Sequence, residues 1–150
     1  MVVETMRMKR EKRTGQVLVE LALVMPVVVL LIAGAVDFGR FVISHAEAAA
    51  LCQDAARFGC QVDPATGAPR TLAEIQQRVY DTLPSGVTTD SVTQLNITTS
   101  ALVSGFQAIR VDLSYELPCL TAVAEQFFTG GKMPVHASGT FLRNRNVVNN

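Results

Sequence analysis

The run Leu21–Val36, LALVMPVVVLLIAGAV, holds sixteen residues without a charge and is closed by Glu20 on one side and Asp37 on the other. As a helix it measures roughly 24 Å, short of the ~30 Å hydrocarbon core of a bilayer. Apolar residues continue past both charges, through Val17–Val19 upstream and Phe38, Phe41, Val42 and Ile43 downstream. The stretch 16–43 is therefore long enough to cross a membrane, with Arg40 extending its head toward the far interface. The architecture follows: one crossing helix, with everything else attached to its ends.

Charge assigns the two ends. Residues 1–15 carry Arg7, Lys9, Arg10, Lys12 and Arg13 against Glu4 and Glu11, a net of +3. The other 135 residues carry eight cations and eleven carboxylates, a net of −3, so the zero total joins two unlike parts. The positive-inside bias keeps a basic leader in the cytoplasm and puts the body, from about Ser44, on the opposite side. With only 17% charged residues and no net charge, the chain is not a nucleic-acid-binding protein dominated by basic residues.

Two processing schemes fit this segment. Ala33-Gly34-Ala35 satisfies the small-x-small rule for signal peptidase cleavage after Ala35, which would release a secreted or periplasmic binding module. The second scheme keeps the helix and cuts on its cytoplasmic side. Glu20 favours the second, because a carboxylate at a helix centre in the membrane costs up to ~2.5–3.5 kcal/mol and its default reading is functional. Gly15, which ends the basic leader, stands five residues before it.

The string GQVLVELALVMPVVVLLIAGAVDFGR, residues 15–40, resembles the amino terminus of TadE-like proteins, minor pseudopilins of tight-adherence (Flp/Tad) type IV pili. The matching positions are Gly15, Glu20, Pro26 and the tetrapeptide Asp37-Phe38-Gly39-Arg40. The resemblance implies that a prepilin peptidase cuts after Gly15 and frees the α-amine of Gln16. It implies further that Glu20 pairs with the mature amino terminus of a neighbouring subunit. A carboxylate and an ammonium attract strongly in low dielectric, while either one alone is costly to bury. The implied partners are other pilin or pseudopilin subunits, the prepilin peptidase, the Tad inner-membrane assembly platform and the membrane itself. Major Flp pilins usually carry Glu-Tyr, whereas Leu21 follows Glu20 here, which points to a minor subunit. Pro26 removes one helical hydrogen bond and predicts a kink. The Asp-Phe-Gly tripeptide stands without the Gly-rich loop, strand lysine or catalytic loop of a kinase.

Beyond the membrane the segment SHAEAAALCQDAARFG is rich in alanine and free of proline, so the helix is expected to run from about Gln16 to Phe58 and stop at Gly59. Ala46, Ala49, Ala50 and Ala56, with Leu51, Cys52 and Phe58, supply apolar positions at helical spacing. A loop follows over 63–69. Thr71 and Glu74 predict a capping box ahead of Leu72, Ile75, Val79 and Leu83, with Pro84-Ser85-Gly86 closing that helix. Leu95–Thr99 reads as a strand. Ile109–Leu117 alternates five apolar with four polar residues and is the clearest strand of the chain. A short helix over Leu120–Phe128, a break at Gly130-Gly131 and a last strand over Pro134–Leu142 complete the body. The expected fold is α+β and pilin-like: a long amino-terminal helix packed on a small antiparallel sheet of about three strands, with one or two short helices. Three parts result: a leader (1–15), a membrane part of the helix (16–43) and an extracytoplasmic domain (44–150).

The three cysteines would lie where disulfides persist. Cys52 and Cys60 are about 12 Å apart on one helix, beyond the ~7 Å bonding limit. Cys60 and Cys119 are the better pair, and three free thiols are the alternative. No metal-ligand spacing, hydrolase triad motif or cofactor signature stands out, so no catalytic residue, metal or cofactor is expected and the chain reads as a structural protein, not an enzyme.

Overall fold

The computed structural model describes residues 2–101 and 106–144. Helix α1 spans Val2–Gly59 and passes through Pro26 as one element. It begins fourteen residues earlier than the Gln16 start expected, because the leader's Met, Arg, Lys and Glu residues are good helix formers. From Val17 to Val36 its large apolar side chains are exposed. The helix is long and apolar enough to cross a membrane, and its apolar window is not buried against the rest of the protein.

Helix α2 (Leu72–Asp81) starts with the predicted capping box: Thr71 Oγ1 accepts from the Glu74 amide, and the Glu74 carboxylate accepts from the Thr71 amide at 2.7 Å. Those hydrogen bonds from Thr71, with Arg70 alongside, hold the Glu74 carboxyl below its ordinary value. Strands β1 (Val92–Ala101), β2 (Phe106–Pro118) and β3 (Lys132–Asn144) form an antiparallel sheet in the order β1-β2-β3. Helix α3 (Ala122–Phe127) fills the β2–β3 connection, and Gly130 and Gly131, both at positive φ, turn the chain into β3. In β2 the five apolar residues of the alternation, Ile109, Val111, Leu113, Tyr115 and Leu117, are all buried. Register pairs Leu113 with Leu95 and Ala137, and Leu117 with Met133.

Helix α1 packs on β3 and β2 through a stripe that begins at Asp37 and continues through Ser44, Ala48, Leu51, Cys52, Ala55 and Ala56 to Gly59. Steps of three and four residues keep these positions on one helix face. Of the apolar positions expected here, Leu51, Cys52 and Ala56 are buried and Ala49 and Phe58 half-buried, while Ala46 and Ala50 are exposed. With alanine on nearly every face the phase is not set locally. It is set by docking at both ends, where the Tyr115 hydroxyl donates to the Ser44 carbonyl at 2.9 Å and Gly59 abuts Ile75 and Ile109.

Small residues on the stripe let the sheet come close. At Gly139 a Cβ would stand 2.3 Å from the Cys52 carbonyl carbon and 2.4 Å from the Gln53 amide nitrogen, both backbone atoms of α1. Glycine in mid-strand is what such an approach demands.

The expected Cys60–Cys119 disulfide is corrected by the direction of α1. The helix runs antiparallel to β2, so Cys60 lies near the Ile109 end while Cys119 lies beside Asp37 at the other. Ten residues of extended chain separate those ends, roughly 33 Å, far beyond the ~7 Å bonding limit. All three cysteines are free thiols. Cys52 is fully buried, its Sγ 3.7 Å from the Ala137 carbonyl, and burial pushes its thiol up to about 11. A maleimide should therefore label Cys60 and Cys119 in the folded protein and reach Cys52 only in denaturant, as counted by mass spectrometry.

Candidate functional site: the leader junction and the helix–head joint

The residues singled out from sequence fall into two groups at opposite ends of the apolar segment. At the amino-terminal end, Gly15, Gln16 and Glu20 lie on the exposed surface of α1. Gln16 Nε2 donates to Glu20 Oε1 at 3.2 Å, an (i, i+4) contact that places both on one face. Nothing lies within 4 Å of where a Gly15 Cβ would be, so packing does not require glycine there. A demand for a small residue must come from outside the fold.

At the other end, the tetrapeptide Asp37–Arg40 joins helix to head. Asp37 is 2% exposed. Its carboxylate accepts from the Leu120 amide at 3.0 Å, the Thr121 amide at 3.2 Å and the Thr121 hydroxyl. Thr121 is also the N-cap of α3, its hydroxyl oxygen accepting from the Ala124 amide. One carboxylate thus fixes the loop after β2 and the start of α3 to the helix. Arg40 extends the joint: Nη1 lies 3.9 Å from Asp37 Oδ1 and donates to the Pro118 carbonyl at 3.4 Å. Phe38 is 67% exposed. Gly39 has open space where a Cβ would stand.

The sequence marks Asp37 and Arg40 only as parts of one tetrapeptide; the main partners of Asp37, Leu120 and Thr121, lie 83 and 84 residues away and leave no local signal. Sequence reasoning also missed Gly139, although an isolated glycine inside a strand pattern is itself a signal of close backbone approach. Among the described residues no three His, Cys, Asp or Glu side chains are placed to hold a metal ion.

The family model for TadE-like proteins matches residues 15–57. Over that span the chain is TadE-like. The match opens at Gly15 and takes in Glu20, Pro26, the Asp37–Arg40 joint and most of the stripe that docks the sheet. The TadE-like segment is thus the whole shaft from the end of the leader to the last turns of α1, while the sheet and the helices α2 and α3 lie beyond it. No curated protein and no solved structure matches the chain. A shaft with a TadE-like match and an uncharged, unburied run of sixteen residues fits a membrane protein of a Tad pilus system.

Proposed function

We propose that this chain is a minor pilin of a Tad/Flp type IV pilus, cut after Gly15 by a prepilin peptidase. The mature shaft stays in the cytoplasmic membrane with its amino terminus on the cytoplasmic side until assembly. The observation that carries this reading is the coincidence of three boundaries at Gly15: the basic leader ends, the apolar run begins and the TadE-like match opens. The role is structural, not enzymatic. Glu20 meets the new α-amine of Gln16 on an adjacent subunit, and the side chain of its own Gln16 holds the carboxylate in position. The head, fastened through Asp37 and Arg40, is the part presented to pilus partners and the assembly platform. Release by signal peptidase after Ala35 is the competing scheme, and the continuous helix through Ala33–Ala35 weighs against it.

Gly15→Phe tests the proposal. The open surroundings of Gly15 leave the fold intact, so any effect reports recognition by the peptidase. In the native cell the variant should keep its leader and vanish from the sheared surface fraction while remaining in the membrane. Wild-type levels of processed, surface-located variant would contradict it.

A further inference from the structure

A groove of about 600 Å³ opens where the shaft meets the underside of the head. Leu30, Gly34 and Phe38 of α1 form one wall, and Phe128, Met133 and Pro134 at the α3–β3 corner form the other. Its size is that of a small-molecule site, but its chemistry is not. Such a site needs a few free polar groups to orient a ligand. Here the one charged lining residue, Asp37, has its carboxylate committed to Leu120 and Thr121. The walls offer apolar contact and little else.

Position says what meets this surface. The twenty residues Val17–Val36, all exposed but the half-buried Ala33, span roughly 30 Å as a helix, one hydrocarbon core. Gly34 and Leu30 lie two and six residues inside the head-side end of that span, roughly 3 and 9 Å deep. Phe128, Met133 and Pro134 share a groove with them, so the corner of the head overhangs the same depth. Phe128 is 38% exposed and Leu120 is 65% exposed, and both flank the short helix α3; the other exposed large apolar residues of the head, Leu72, Phe106, Phe141 and Leu142, do not line the groove. The Leu120–Phe128 segment holds one charge, Glu125.

We infer that the α3–β3 corner is a membrane-seated foot: acyl chains of the head-side leaflet fill the groove, with Phe128 and Leu120 immersed at its rim. The groove is continuous with the spanning surface, and that surface is already in contact with acyl chains. The head is then held close to the bilayer and is not free to swing on the shaft. Leaving the membrane for a filament requires the foot to give up its lipid. The inference rests on the reading of 17–36 as a membrane span and extends it to the head.

The chain contains no tryptophan, so single-tryptophan reporters are clean. Full-length Leu23→Trp, Leu120→Trp, Phe128→Trp and Phe141→Trp proteins would be reconstituted in phosphatidylethanolamine–phosphatidylglycerol vesicles with brominated acyl chains. Leu23 reports the span and Phe141, near the far end of β3, the distant head. Emission from the Leu23, Leu120 and Phe128 reporters should fall at least twofold relative to unbrominated vesicles, with Phe141 unchanged. Leu120, being more exposed, serves if the Phe128 substitution disturbs folding. Quenching at Leu23 with neither corner position quenched would overturn the foot and leave the span intact. No quenching at Leu23 would overturn the span and the foot together. If corner quenching appears only on tenfold dilution of protein in lipid, a second copy fills the groove at ordinary density and the lipid assignment fails.

Discussion

Replacing Gly139 by valine should separate the sheet from the shaft and lower the melting temperature of the head by roughly 10–20 °C. Overpacking a core usually costs about 1–3 kcal/mol, with flexible side chains absorbing part of the strain. At Gly139 the first added carbon already meets backbone of α1, at 2.3 Å from the Cys52 carbonyl carbon and 2.4 Å from its oxygen. Backbone inside a helix cannot step aside. Relief requires β3 to move outward, which opens the contact between Val135 and Ala137 on the strand and Ala48 and Cys52 on the helix. A loss of about 3 kcal/mol is a large part of the 5–15 kcal/mol that holds a domain together. For a domain of this size each kcal/mol moves the midpoint by about 4–8 °C. Ser138→Ala, one residue away on the exposed face, should stay within about 0.5 kcal/mol of wild type. Thermal melts of the full chain in detergent, followed by circular dichroism, make the comparison. Equal midpoints for Gly139→Val and Ser138→Ala would mean that the close helix–sheet approach does not exist.

Asp37→Ala should have a different signature, local and not global. The substitution removes the acceptor of three hydrogen bonds and leaves the Leu120 and Thr121 amides facing an apolar groove. Unsatisfied donors of this kind are expensive, so the loop and α3 should open far more often. Amide exchange at Leu120 and Thr121 should accelerate by about tenfold or more. Exchange in β1, at the far side of the sheet, should hold its wild-type rate. Asp37→Asn keeps one acceptor oxygen and should fall between the two. Unchanged exchange at residues 120 and 121 in the alanine variant would show that the joint is not made by Asp37. In a pilus the consequence is mechanical: a head that has lost this joint hangs on the shaft through the Arg40–Pro118 contact, Phe41 and the stripe from Ser44 onward.

What the sequence disclosed follows from the range of each interaction. The Thr71–Glu74 capping box and the alternation of Ile109–Leu117 are written in neighbouring residues, and both are found as expected. The apolar shaft is equally local, a matter of counting uncharged residues. The face of α1 that meets the sheet was legible only in part: Leu51, Cys52 and Ala56 mark it, but Ala46 and Ala50 do not lie on it, because alanine occupies several sides and distant contacts, Ser44 with Tyr115 and Asp37 with Thr121, choose among them. The same ignorance of direction produced the Cys60–Cys119 pairing. Both cysteines sit at element ends, and which ends adjoin depends on α1 running antiparallel to β2. Asp37 was recognised as part of a motif, yet its work as the joint between shaft and head depends on a loop 83 residues away.

The central claim concerns where this chain is cut. Intact-mass and amino-terminal peptide analysis of the protein purified from its native cell reads that directly. The mature chain should begin at Gln16, shorter by the leader and its net +3 charge, and therefore more acidic than the full sequence. A chain beginning at Val36, or one still beginning at Met1, would contradict it.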